Sequence, residues 1–186
     1  MCIRDRYYSA NEVLKILDEV NRLESLIPEK GGMMKYYDTP FGQDSSNKSM
    51  ILIRIEKFIE TSPYLESIVN NPSVHFLLNQ LFGESAVLMK EKINFKPPGA
   101  PPDLLHQDSQ AGWDEYGSEF VSVLIAVEDS NISNACVEFG FSKNSLFKNI
   151  TYFIKFRRVT SYNKFKKYFE AGGVIPIHCI SIVISR

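Results

Sequence analysis

His106 and Asp108 stand two positions apart in the stretch Leu104-Leu105-His106-Gln107-Asp108-Ser109-Gln110-Ala111-Gly112-Trp113. In an extended backbone successive side chains point to opposite faces. An imidazole and a carboxylate at i and i+2 therefore project together from one face while Gln107 projects from the other. Such a pair supplies two of the three ligands of the facial triad that holds non-haem Fe(II) and leaves positions open for oxygen and a co-substrate. The third ligand, a histidine, must then arrive from a later strand. Since a His-x-Asp pair also occurs by chance in turns and on surfaces, the neighbouring stretches decide its meaning.

Upstream, Ala86 to Lys96 alternates strictly and reads as a strand. Val87, Met89, Glu91, Ile93 and Phe95 fall on one face, and Leu88, Lys90, Lys92, Asn94 and Lys96 on the other. The second face is cationic. Lys92 and Asn94 either line a pocket and bind a carboxylate of a co-substrate or an anionic substrate, or belong to a solvated edge whose lysines block strand pairing. The run Pro97-Pro98-Gly99-Ala100-Pro101-Pro102 cannot join a sheet interior, so it serves as a rigid connector to the His106 strand. Beyond Asp108, Gln110 and Trp113 are candidate substrate-side residues. The alternative for Trp113, the single tryptophan, is that it packs its loop onto the sheet.

The elements that would position these groups are legible from periodicity and caps. Ser9 and Glu12 form a capping-box signal, and apolar residues from Val13 to Leu23 recur at helical spacing, predicting a helix over about Asn11 to Leu26. Met33 to Tyr37 reads as a short strand and Asp38 to Ser49 as a polar loop. Residues Arg54 to Phe58 are compatible with a helical continuation of Ile51 to Ile53. Helix starts at Ser62-Pro63 and Asn71-Pro72 predict two further helices, the second stopped at Gly83 and carrying His75 as a packed or half-exposed residue rather than a ligand. Phe120 to Val127 is nearly all apolar, as in a strand covered on both faces, and Cys136 to Phe139 reads as another strand. Short strands with Pro/Gly-rich turns after N-terminal helices point to a mixed α+β, mainly β fold. The expected architecture is a double-sheet jelly roll with the helices on one side.

A chain of 186 residues with 44% hydrophobic content fits one domain with a substantial core. No apolar run is long enough to span a membrane and the N-terminus lacks a secretory signal's apolar core, so a cytoplasmic protein is the simplest reading. Cys2, Cys136 and Cys179 are odd in number and widely spaced, which argues against a disulfide framework and against a cysteine zinc site. Residues 1–140 carry 12 Lys/Arg and 21 Asp/Glu, whereas 141–186 carry 9 Lys/Arg against Glu170 alone. This basic, aromatic-rich tail either tracks an anionic polymer or surface or is not the native continuation of the domain. The second reading is preferred, and nucleic acid is not expected as a partner. Residues 1–8 have the character of a non-native leader, leaving 9–186 as a single domain, best supported over 86–139 and divergent over 141–186.

Taken together, Lys90-Glu91-Lys92-Ile93-Asn94-Phe95-Lys96-Pro97-Pro98-Gly99, then His106-Gln107-Asp108, then Asn134-Ala135-Cys136-Val137-Glu138-Phe139 resemble the phytanoyl-CoA dioxygenase family of Fe(II)/2-oxoglutarate oxygenases. The resemblance implies a double-stranded β-helix and an enzyme that hydroxylates a small organic substrate with molecular oxygen. It implies that His106 and Asp108 bind Fe(II), and it tips Lys92 and Asn94 toward the pocket, where they would bind 2-oxoglutarate. The stretch Gly172-Gly173-Val174-Ile175-Pro176-Ile177-His178, continued through Arg186, is similar to the family's closing word in two possible registers. In one, His178 is the distal iron ligand and Arg186 the 2-oxoglutarate anchor. In the other, the ligand position falls near Val183, which cannot bind iron. Phe141 to Asn144 and Ala135 depart from the family pattern, and the strand expected after Arg186 is missing from the sequence, so an incomplete C-terminal part is expected. The rival reading is a truncated or catalytically inactive jelly-roll binding module.

Overall fold

The computed structural model describes residues 7–42, 49–101, 112–117, 119–128, 137–141, 152–156 and 177–185, the last three segments as backbone. Helix α1 spans Ala10–Ser25, and its start is the capping box read from the sequence: the Ser9 hydroxyl accepts from the Glu12 amide while the Glu12 carboxylate accepts from the Ser9 amide at 2.7 Å. Helix α2 (Pro63–Val69) begins with proline after an N-cap serine. Helix α3 (Pro72–Phe82) begins with proline after an N-cap asparagine and ends at Gly83, whose φ of 73° is the left-handed conformation that glycine adopts at lowest cost. The strands are β1 (Met34–Asp38), β2 (Ile51–Glu56), β3 (Val87–Lys96), β4 (Phe120–Ala126), β5 (Val137–Phe141), β6 (Tyr152–Phe156) and β7 (Ile177–Ser185). They form a five-stranded sheet in the order β1-β2-β3-β7-β4 and a two-stranded sheet of β5 and β6. The pairings within both sheets are antiparallel. The fold is thus mixed α and antiparallel β.

Two local expectations give way. Arg54 to Phe58 does not continue as a helix: Ile51 to Glu56 is a strand, with Ile55 opposite Ile93 and Arg54 opposite Asn94. The β-branched Ile51, Ile53 and Ile55 favour an extended chain, and pairing with β3 on one side and β1 on the other overrides any local helical preference. Within β3 the alternation holds from Lys90 to Lys96 but reverses at a register shift between Leu88 and Lys90. Leu88 packs against the core, while Val87 is exposed. An extra residue in one strand of a pair moves the following side chains to the other face.

One face of the sheet is covered by the helices. Ile16, Val20 and Leu23 of α1, Leu65, Ile68 and Val69 of α2 and Leu78 of α3 share a buried cluster with Ile55, Phe58, Ile93 and Phe95. Val121, Val123 and Ile125 of β4 pack against the same cluster. The α1–α2 contact is tied by Ser62, which is fully buried. Its hydroxyl accepts from the Leu65 amide at 3.1 Å and donates to Glu19 Oε1 at 2.6 Å, and Glu19 also pairs with Arg22. Removing this oxygen leaves an unpaired amide and an unpaired carboxylate lone pair. Ser62→Ala is therefore expected to lower unfolding stability by about 1–2 kcal/mol. Urea denaturation checks this, and an unshifted midpoint would refute the tie.

Candidate functional site

With Glu91, Ile93 and Phe95 turned into the helical layer, at 7%, 0% and 2% exposure, the opposite face of the sheet carries Lys90, Lys92, Asn94 and Lys96, all half-buried. Pairing extends this polar face across the sheet. Arg54 lies opposite Asn94 on one side and Tyr36 on the other, and Glu56 lies opposite Lys92 and Met34. On the far side of β3, Asn94 is paired with Cys179, Lys92 with Ser181 and Lys90 with Val183, whereas His178 is paired with Phe95, a register position of the helix-covered face.

Glu56 is the hub. It is 6% exposed, and its carboxylate accepts from Lys90 Nζ at 2.9 Å, from an Arg54 Nη at 3.2 Å and from the Tyr36 hydroxyl at 3.2 Å. Burial alone would push its carboxyl up, but the hydrogen bonds from Lys90 and Arg54 outweigh that and hold it below the ordinary glutamate value. Burial, with the Glu56 charge adding to it, raises the Tyr36 phenol, which therefore stays a protonated donor. The Arg54 guanidinium lies over the Tyr36 ring at 5.5 Å from its centroid.

Glu91, on the helix side of β3, is met by backbone amides instead of cations. It accepts from the Ile59 amide at 3.4 Å and so holds the turn after β2, in which Lys57 takes a positive φ of 56°. Burial dominates here and raises its pKa. The two glutamates thus act on stability in opposite directions. Glu56, depressed when folded, stabilises above the ordinary value of 4.5 and loses that contribution on acidification through its folded pKa. Glu91, raised when folded, is tolerated while protonated, and the fold is weakened as pH climbs through its folded pKa.

The sequence-predicted site residues are placed unevenly. Lys92 and Asn94 share the polar face, and His178 lies in β7. Trp113 opens a single 3-10 turn, Trp113–Glu115, after Gly112 at φ 78°. Its half-buried ring meets Phe120 at 5.5 Å between centroids. His106, Asp108, Gln110 and Arg186 lie outside the described residues, as does most of the basic tail. Among the described residues no three His, Cys, Asp or Glu side chains converge as a metal site. His75 sits in α3 as a helix residue. Sequence reasoning missed the cluster of Tyr36, Arg54 and Glu56, although the i, i+2 spacing of Arg54 and Glu56 within a β-branched run is the signal that places both on one strand face.

The fold is shared with proteins of known structure. The chain superposes on the crystal structure of EctD from S. alaskensis with bound Fe, at a TM-score of 0.66, 11% identity, and coverage of 98% of this chain and 71% of that one. Residues 1–140 match the phytanoyl-CoA dioxygenase family, and the chain belongs to it. Among curated relatives, a 2-aminoethylphosphonate dioxygenase from an uncultured bacterium (HF130_AEPn_1) is 34% identical over 116 residues, covering 61% of this chain and 42% of the relative. A probable alpha-ketoglutarate-dependent hypophosphite dioxygenase of Stutzerimonas stutzeri is 27% identical over 133 residues, covering 72% of this chain and 46% of the relative. The chain spans less than half the length of these two relatives. No helix among the described residues is long and apolar enough to cross a membrane.

The opposed titrations of the two glutamates have separable consequences. Glu91→Gln should gain stability relative to the parent as pH rises from below 4.5 toward neutrality, whereas Glu56→Gln should be destabilised most near neutral pH, with the difference closing on acidification. Urea midpoints over a pH series test both. Parallel pH profiles for the two variants would contradict the assignment.

Proposed function

We propose that this protein is an Fe(II)/2-oxoglutarate-dependent dioxygenase that hydroxylates a small organic substrate, with a phosphonate as the substrate class that its relatives favour. The carrying observation is the face of β3 turned away from the helices. There Lys92 and Asn94 stand two positions apart on one face of a strand that lies within the family match, a cation and a hydrogen-bond donor of the kind that a dicarboxylate requires. The donor chemistry therefore fits 2-oxoglutarate. His106 and Asp108 would hold the iron, as a histidine and a carboxylate suited to Fe(II), with His178 the candidate third ligand although its register position is shared with Phe95 rather than with Lys92 and Asn94. Arg186, or Lys92, would pair with the far carboxylate of the co-substrate, and Gln110 and Trp113 would face the substrate. Bound iron with 2-oxoglutarate and oxygen supplies the oxidising power of the reaction.

In this reading the chain's own groups position rather than react. Lys92 and Asn94 orient the co-substrate by charge and amide hydrogen bonding. The apolar layer of Ile93, Phe95 and the helices holds β3 rigid behind them, so the donors do not have to be reorganised during turnover. The surrounding architecture would be a double-stranded β-helix in which the sheet β1-β2-β3-β7-β4 forms one wall.

His106→Ala and Asp108→Ala should each lower Fe(II)-dependent consumption of 2-oxoglutarate, measured as succinate release, by about a hundredfold or more. Retained consumption in either variant would refute the metal assignment. His178→Ala tests the third ligand separately: loss of Fe(II) uptake assigns it to β7, and unchanged uptake removes His178 from the set.

A further inference from the structure

Arg54 is held unusually firmly for a half-exposed arginine. Its guanidinium lies over the Tyr36 ring, one Nη donates to Glu56, and the Tyr36 hydroxyl donates to the other oxygen of the same carboxylate, so ring, carboxylate and guanidinium fix one another. Yet the clamp uses little of what an arginine offers. The planar fork carries five N–H donors, and among the described residues Glu56 is its one hydrogen-bond acceptor. Arg54 Nε is buried and has no hydrogen-bond partner among them, so the donors open to a ligand are those of the outer nitrogens of this 36% exposed side chain. Charge points the same way. Glu56 carries one negative charge and is paired with Lys90 as well as Arg54, so the trio keeps one positive charge in excess, on the sheet face away from the helices and directly opposite Asn94 in the β2–β3 register.

We propose that Arg54 is an oxyanion-binding residue of this face, clamped by Glu56 and Tyr36 so that its guanidinium fork receives a phosphonate or carboxylate group of a small ligand. The inference rests on the oxygenase reading for the choice of ligands, a substrate phosphonate and the 2-oxoglutarate carboxylate, and on the geometry alone for the residue. A guanidinium already fixed by a ring and a carboxylate loses less side-chain freedom when it takes an oxyanion, and its planar fork matches two oxygens of a phosphonate or carboxylate at once. Lysine at this position would keep the charge and lose the fork.

Calorimetric titration of the full 186-residue chain tests this, with methylphosphonate and 2-oxoglutarate as separate probes, in chelator and again with Mn(II) under anaerobic conditions. Arg54→Gln is expected to weaken one of the two ligands by about tenfold or more, and Arg54→Lys by a smaller factor, with circular dichroism and thermal midpoints confirming that the fold is kept. Weakened methylphosphonate binding assigns the oxyanion to the substrate. Weakened 2-oxoglutarate binding assigns it to the co-substrate. Should Arg54→Gln fail to fold, Arg54→Lys carries the same comparison. Affinities for both ligands within about twofold of the parent overturn the proposal, as does a parent chain that binds neither ligand in either condition. Since the readout is binding without oxygen, a protein that loses the phosphonate on Arg54→Gln but never consumes 2-oxoglutarate would keep this inference and sink the oxygenase reading.

Discussion

The burial of Glu91, Ile93 and Phe95 beneath three helices constrains everything else in the molecule. A strand has a period of two, so placing those three residues in the helical layer forces Lys90, Lys92, Asn94 and Lys96 to the opposite face together. A slip of one residue would drive lysines into a cluster of Ile16, Leu23, Phe58 and Leu65 and expose the apolar set. The cost of that alternative locks the register of β3, and through Ile55↔Ile93 and Arg54↔Asn94 it locks β2 as well. The polar face is thus a by-product of packing on the other side of the sheet, which makes it rigid.

On that rigid face the electrostatics are arranged around one acid. Glu56 and Glu91 are almost equally buried, at 6% and 7% exposure, yet their carboxyls are displaced in opposite directions, because Glu56 is met by Lys90 and Arg54 whereas Glu91 is met by backbone amides. Burial sets the penalty for both, and the presence or absence of a cation decides the sign. Glu91 serves the fold, holding the turn that leads from β2 toward α2. Glu56 serves the other face, fixing two cations beside Lys92 and Asn94. Neighbouring strands thereby carry a carboxylate held by a backbone amide and one held by two cations on opposite sides of a single sheet.

Much of the local structure is legible from residue types. The three helices, their caps at Ser9, Ser62, Asn71 and Gly83, and the two-faced pattern of residues 90–96 follow from side-chain chemistry that acts within a few residues. Sequence reasoning fails where a distant partner decides. Arg54 to Glu56 is short and mixed in character, and only pairing with β1 and β3 makes it a strand. The irregularity between Leu88 and Lys90 is invisible in the alternation itself because it arises from how β3 meets β7.

The family was legible in short words of sequence, because residue types at fixed spacings carry it. The tertiary structure alone decided that β7, from the far end of the chain, runs between β3 and β4, and that Tyr36, Arg54, Glu56 and Lys90 meet from three strands. Sheet neighbours are chosen by burial and hydrogen bonding over long sequence separations, and no local pattern encodes which strand will lie beside which.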